Sequence, residues 1–256
     1  MFIPLFKKKI TQEEYVHVII THFNLDYSKT YPKVPLGQYK NPEWLEKRFS
    51  LFEKYCLPSV ERQTDKNFLW LCTFHKDTPE PFMSRIKEYA EKYSYIRLNF
   101  DVHIEEYIRN YEKILKEKIS PKLYLVTTRL DNDDGIAVDY IENIHKNLYE
   151  TKNGYFIDYI YGYIYDAIEH KPHFQKFRRN PFSTRVERWE NAQTIRKFNH
   201  DSIDEYGPVL RVKNKTNPMW LQVIHGENVL NEVDGFVPEN LSDFKSRFII
   251  AGEQNA

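Results

Sequence analysis

The chain has 256 residues, 41% hydrophobic and 29% charged, the balance of a soluble globular protein long enough for one substantial core or two small ones. Lys plus Arg and Asp plus Glu both number 37, so the overall charge gives no footing for a polyanion and nucleic acid is not an expected partner. The opening MFIPLFKKKITQEEY holds an apolar stretch of about five residues with its basic residues behind it, far short of a secretory signal, and no later window reaches the roughly twenty apolar residues of a membrane span. Two cysteines, Cys56 and Cys72, point to buried reduced thiols in a cytoplasmic protein, with a disulfide between them as the alternative.

The apolar run at 16–20, ending in THFN, reads as a buried first strand, followed by a polar loop to about residue 40. Leu45, Phe49, Phe52 and Cys56 then recur at helical spacing behind Asn41, a capping residue, and Pro42, suited to a first turn. Pro58 should kink or end that helix. FLWLCTF (68–74) is a second strand, and DTPEPFMSRIKEYAEKY supplies a cap, a first-turn proline and a second helix. YIRLNF (95–100), a helix over about 104–118 and LYLVTT (123–128) complete an alternation of strand and helix, and a further helix is expected over 136–150.

That alternation predicts an α/β fold, with a mostly parallel central sheet covered by helices on both faces. Ligands of such sheets bind beyond the carboxyl ends of the strands, which is where Thr21 to Asn24 and Asp131 to Asp134 fall. After residue 153 the texture changes to the aromatic-rich GYFIDYIYGYIYDAIEH, bent or divided at Gly162, and then to a basic segment containing KFRR (176–179). Residues 192–198 and 220–226 are strand candidates and SDFKSRFII a closing helix, so one domain over 1–256 with a smaller, mixed C-terminal subregion is expected.

The segment LVTTRLDNDDG places three carboxylates in four positions directly behind the fourth strand. Mutual repulsion there is commonly relieved by a divalent cation, and Asp131-x-Asp133 offers the oxygen ligands that suit Mg²⁺ or Mn²⁺. Capping of the following helix by Asp131, Asn132 and Asp134 is the plainer alternative. A calcium loop with Asp131, Asp133 and Glu142 at its first, third and twelfth positions is a poorer one, since a strand precedes it and Gly135 breaks the pattern. Arg129, two residues before Asp131, leans to the same side of an extended strand and can pair with it or with a diphosphate.

HVIITHFNL, WLEKRFSLFEKYCLPSVERQTDKNFLWL, TTRLDNDDG, NPFSTRVE and WLQVIHGENV, in this order over about 16–230, resemble the "putative rhamnosyltransferase" family, glycosyltransferases of GT-A type. Where that family is expected to carry Arg after the first strand's Thr, this chain has His22. The resemblance implies a nucleotide-sugar donor bound by residues of about 16–150, a glycan or saccharide acceptor met by about 151–240, and Mn²⁺ or Mg²⁺ held by Asp131, Asp133 and His225. It places Thr21, Phe23 and Asn24 near the nucleotide, together with Arg129 and Asp131.

Transfer needs neutralisation of the leaving diphosphate and, if it inverts the anomeric carbon, a carboxylate base on the acceptor side. Glu187 is the expected base, with Asp166 and Asp201 behind it. Two other classes compete with a rhamnosyl transfer. One is a sugar-activating nucleotidyltransferase, although THFNLDYSKTYPKV lacks the glycines of a phosphate loop; the other is a non-enzymatic module binding calcium or carbohydrate.

Overall fold

The computed structural model describes residues 8–226 and 233–253. The first seven residues, which carry the apolar start of the chain, and the Glu227 to Val229 end of WLQVIHGENV lie outside the described residues. The chain begins with β1 (Tyr15–His22), α1 (Pro42–Leu51), a π-helical turn (Phe52–Cys56) and α2 (Leu57–Glu61). It continues with β2 (Leu69–His75), α3 (Phe82–Lys92), β3 (Ile96–Asp101), α4 (Ile104–Lys118) and β4 (Tyr124–Arg129). The second half contains β5 (Gly135–Ile136), α5 (Tyr140–Lys146), β6 (Tyr155–Tyr159), β7 (Tyr161–Asp166), β8 (Lys171–Lys176) and β9 (Thr184–Arg188). It closes with α6 (Ile203–Tyr206), β10 (Val209–Val212), β11 (Trp220–Ile224) and α7 (Ser242–Arg247).

Seven strands form the central sheet in the order β10-β6-β9-β4-β1-β2-β3, and four form a smaller mixed sheet, β5-β11-β7-β8. In the large sheet β4, β1, β2 and β3 are parallel neighbours, and only β9 runs against its neighbours β4 and β6. Alternation along β1 divides the core as a pleated strand requires: Ile19 packs with Leu45 and Phe49 of α1 and Ile86 of α3, whereas Val18 and Ile20 pack with Tyr107, Ile114 and Leu115 of α4. Helices therefore cover both faces, as the alternation of elements predicts.

Asn41 caps α1 through the Trp44 N–H, with Pro42 in the first turn. The helical course does not stop at Pro58. It passes through the π turn, where the Leu57 N–H reaches back to the Phe52 carbonyl, and continues into α2 with Pro58 in that helix's first turn, where a missing N–H costs little. The helix expected over 136–150 is shorter, because residues 135–136 pair instead with β11. Residues 192–198 are not a strand: Ile195–Lys197 is a 3₁₀ turn, since the N–H groups that a ladder would use are taken by side chains of the central sheet. Gly162 lies within β7 rather than dividing the aromatic run, and a Cβ there would sit 2.1 Å from the Trp220 indole. Cys56 and Cys72 are buried free thiols, and among the described residues no helix is long and apolar enough to cross a membrane.

A chain of polar groups runs through this core beside β1. His17 Nε2 lies 2.8 Å from Thr128 Oγ1, His17 Nδ1 lies 3.0 Å from His145 Nε2, and His145 Nδ1 lies 2.6 Å from Asp65 Oδ2. Burial draws His17 well below its ordinary value of 6.5, and burial lowers His145 as well despite the raising effect of Asp65. The unfolded chain then binds protons that the folded chain refuses, so stability is intact above about pH 6.5 and is lost as the pH falls below it. The urea midpoint should drop between pH 7 and pH 5, and His17→Leu should flatten that slope whatever it does to the midpoint at pH 7. A slope unaltered in H17L would assign the loss to other groups.

Candidate active site

The turn after β4 lies at the carboxyl edge of the parallel strands, beside a cleft of about 300 Å³ lined by Phe23, Tyr39, Trp44, Arg48, Asp131 and Asp133 among others. Its position is set by the sheet: the Leu130 N–H donates to the Ile20 carbonyl, and the Thr21 hydroxyl donates to the Leu130 carbonyl. Asn132 Nδ2 donates to the Phe23 carbonyl, which ties the turn to the end of β1.

Each acidic side chain of the turn has a different environment. Asp131 receives Arg129 at 2.7 Å and 3.3 Å on its two oxygens and Arg196 Nη1 at 3.0 Å. Burial pushes its pKa up, but these two guanidiniums prevail and hold it far below the usual carboxylate range. Asp133 Oδ2 lies 3.1 Å from Arg48 Nη1 and 3.1 Å from His225 Nε2. Burial again opposes ionisation, and Arg48 with His225 keeps Asp133 below its ordinary value. Asp134 has no such partner. Its Oδ1 accepts the Val223 N–H at 2.9 Å, while burial and the charges of Asp133 and Asp131 drive its pKa well upward, favouring the protonated form.

The structure therefore brings together Arg129, Asp131, Asp133 and His225, four residues picked out in the sequence. Phe23 reaches the cleft wall, but its ring belongs to the core, packed on Phe49, Phe52 and Phe74. Thr21 and Asn24 lie buried beneath the cleft: Thr21 also accepts the Trp70 indole N–H, and Asn24 bonds the Tyr39 carbonyl, Thr78 and the His75 N–H. Glu187 is not brought to the cleft. It is buried on β9 opposite Leu125, near the start of β4, and accepts the Thr194 N–H at 2.8 Å. Asp166 turns the chain after β7, accepting the Ile168 and Glu169 N–H groups. Asp201 is exposed beside His200.

The helix-capping alternative does not hold, because α5 begins at Tyr140 with Asp139 at its cap position, several residues beyond the turn. Glu142, the last member of the calcium-loop pattern, bonds Thr64 and Lys146 instead. Two site residues escaped the sequence reading, Arg48 and Arg196. Arg48 projects from α1 onto Asp133 and Asn132, and Arg196 arrives from the 3₁₀ turn. Only tertiary structure puts them there.

The 3.1 Å between Asp133 Oδ2 and His225 Nε2 matches two adjacent ligands of a cation bound at about 2.1 Å to each, and a carboxylate with an imidazole suits Mn²⁺ or Mg²⁺. Both Asp131 oxygens are already bonded to guanidiniums. Among the described residues no three His, Cys, Asp or Glu side chains converge as a cation site, so an ion at Asp133 and His225 would complete its shell with phosphate oxygens and water.

A mostly parallel α/β sheet with a cleft at the carboxyl ends of its strands is the arrangement in which open α/β sheets bind their ligands. The chain belongs to the glycosyltransferase family described as "Putative rhamnosyl transferase", whose model matches residues 38–235. Its fold is similar to that of TarS from S. aureus, in a structure of residues 1–349, with 8% identity, a TM-score of 0.43 and coverage of 82% of this chain and 60% of that one. A second TarS structure gives 8% identity, a TM-score of 0.42 and coverage of 91% and 38%, so the chain spans 60% of one TarS chain and 38% of the other. The 4-diphosphocytidyl-2C-methyl-D-erythritol synthase of Anaerococcus prevotii gives 15% identity, a TM-score of 0.39 and coverage of 79% and 89%. No curated protein matches the chain.

That Asp134 is protonated in the folded protein is an expectation that urea unfolding checks. Asp134→Asn keeps an oxygen for the Val223 N–H and should change stability by less than about 0.5 kcal/mol at pH 7, whereas Asp134→Ala should cost about 1–3 kcal/mol for the unpaired buried donor. Equal losses in both variants would mean that Asp134 is ionised in the folded protein.

Proposed function

We propose that this protein transfers a deoxyhexose such as rhamnose from a nucleotide-sugar donor to a saccharide acceptor, with a divalent cation at Asp133 and His225. The observation that carries this reading is the convergence of Asp133 and His225, 92 residues apart in the chain, at the mouth of a cleft lined by arginines. When bound, the cation would neutralise charge on the leaving diphosphate. Arg48 and Arg129 offer paired N–H donors suited to phosphate oxygens, and Asp131 holds Arg129 and Arg196 in place. The cleft walls Tyr39 and Trp44 offer aromatic faces to a nucleoside.

An inverting transfer also needs a carboxylate that the acceptor can reach. The Glu187 side chain is 4% exposed and that of Asp201 is 68% exposed, so Asp201 is the better-placed base.

Melting curves with Mn²⁺ and each of UDP, GDP, CDP and dTDP test the reading. One nucleotide should raise the melting temperature in a metal-dependent way, and Asp133→Ala and His225→Ala should each remove most of that rise while melting within a few degrees of wild type without ligand. Asp201→Asn should keep the rise and lower transfer by roughly 10² to 10⁴. A metal response indifferent to every nucleotide would instead favour a cation-stabilised binding module.

A further inference from the structure

Arg196 reaches Asp131 from a turn that the backbone alone does not favour. Thr194, which opens the turn, has φ 57° and ψ 160°, a conformation that β-branched residues rarely adopt. Two buried side chains of the central sheet hold it. Glu187 Oε1 accepts the Thr194 N–H at 2.8 Å, and Thr127 Oγ1 accepts the Ile195 N–H at 2.9 Å. The next residue, Arg196, then lays its guanidinium across the sheet edge, with Nη2 on the carbonyls of Ile20 (2.8 Å) and Leu130 (3.1 Å) and Nη1 on Asp131. Arg196 lines the cleft, its side chain is 8% exposed, and its Nε–H is buried with no acceptor. A guanidinium so placed has donor capacity left for an incoming oxyanion.

We propose that Glu187 is a positioning residue of the donor site: with Thr127 it fixes the strained 194–196 turn, and the turn sets Arg196 between Asp131 and the donor diphosphate. The role of Arg196 toward diphosphate rests on the transferase reading above; the coupling of Glu187 to Arg196 does not. The arrangement also accounts for a glutamate buried among strands, 3% exposed and, among the described residues, ion-paired only with Arg185 at 3.5 Å. The carboxylate is needed for its oxygen as an acceptor, not for its proton.

That distinction is measurable. Glu187→Gln keeps an acceptor oxygen, Glu187→Met removes it at similar volume, and Thr127→Val removes the second acceptor without touching the partner of Arg185, so it serves if Glu187→Met fails to fold. With Mn²⁺ and whichever of UDP, GDP, CDP and dTDP stabilises wild type most, Glu187→Met and Thr127→Val should each raise Kd roughly 5- to 10-fold, the worth of one hydrogen bond. In an Arg196→Ala background they should add nothing, and Glu187→Gln should hold Kd within about two-fold and keep transfer. A Glu187→Gln variant that binds normally but transfers roughly 100-fold more slowly would make Glu187 the base and overturn the proposal. Urea unfolding of the ligand-free variants separates the two readings. Non-additive losses between Arg196→Ala and Thr127→Val are expected; found together with no nucleotide that stabilises the wild type, they would sink the donor-site reading alone, and strictly additive losses would sink the positioning role whether or not a nucleotide binds.

Discussion

Three carboxylates in four positions at the end of a buried strand cannot share one charge state, and the structure is arranged around that constraint. Asp131 and Asp133 stay ionised because guanidiniums come to them from three segments: Arg129 from the adjoining end of β4, and, from far along the chain, Arg48 of α1 and Arg196 of the turn after β9. Asp134 takes the other course: burial and its charged neighbours push its pKa well up, and it accepts a backbone N–H. Packing supplies both solutions. Arg48 is in place only when α1 docks on the core through Leu45 and Phe49, and Arg196 only when its turn is seated on β4 and β9.

The same turn joins the two sheets. Asp134 bonds Val223 in β11, and Gly135 and Ile136 pair with Leu221 and Trp220 of that strand. β11 in turn lies parallel to β7, where the absence of a side chain at Gly162 lets the Trp220 indole pack flat against the strand. His225 directly follows β11, so its arrival at Asp133 is fixed by this stitching. A residue remote in sequence is thus held as firmly as one on the turn.

What could be read from the sequence divides along physical lines. β1 to β4 and the helices between them were legible because each carries its own period and punctuation, such as Asn41 and Pro42 ahead of Leu45 and Phe49. The acidic turn was legible because charge behind an apolar strand is a local anomaly. β9 was not, since Thr184 to Arg188 mixes polar and apolar residues whose pairing with both β4 and β6 is decided by tertiary contact. Residues 192–198 misled because their apolar alternation imitates a strand, while two buried side chains take the N–H groups that would have built one. The burial of Glu187 beneath the turn was not legible, because a sequence does not say which carboxylates a turn will cover. Arg48 and Arg196 had no local signal at all, since an arginine on a helix face or in a turn is ordinary until the fold gives it a partner.

The charge states of the turn bear on the chemistry. Three guanidiniums contact the two carboxylates of Asp131 and Asp133, a surplus of one cationic group in these ion pairs at the edge of the cleft. In the transferase reading, a sugar diphosphate carries about two negative charges, which a divalent cation, if bound as proposed, would balance, so that the intact donor would bring almost no net charge to the site. As the glycosidic bond breaks, about one further negative charge develops on the departing diphosphate. The surplus is then matched by what forms during the reaction and not by what binds at its start, the condition under which an electrostatic contact lowers the barrier instead of only tightening the substrate complex. Arg196 is the guanidinium best suited to that task, because its alternative partners, Asp131 and two main-chain carbonyls, already hold it at the edge where the charge would appear. Little reorganisation is then needed at the moment of transfer, which is the physical reason for holding an arginine in place with a buried glutamate and a threonine.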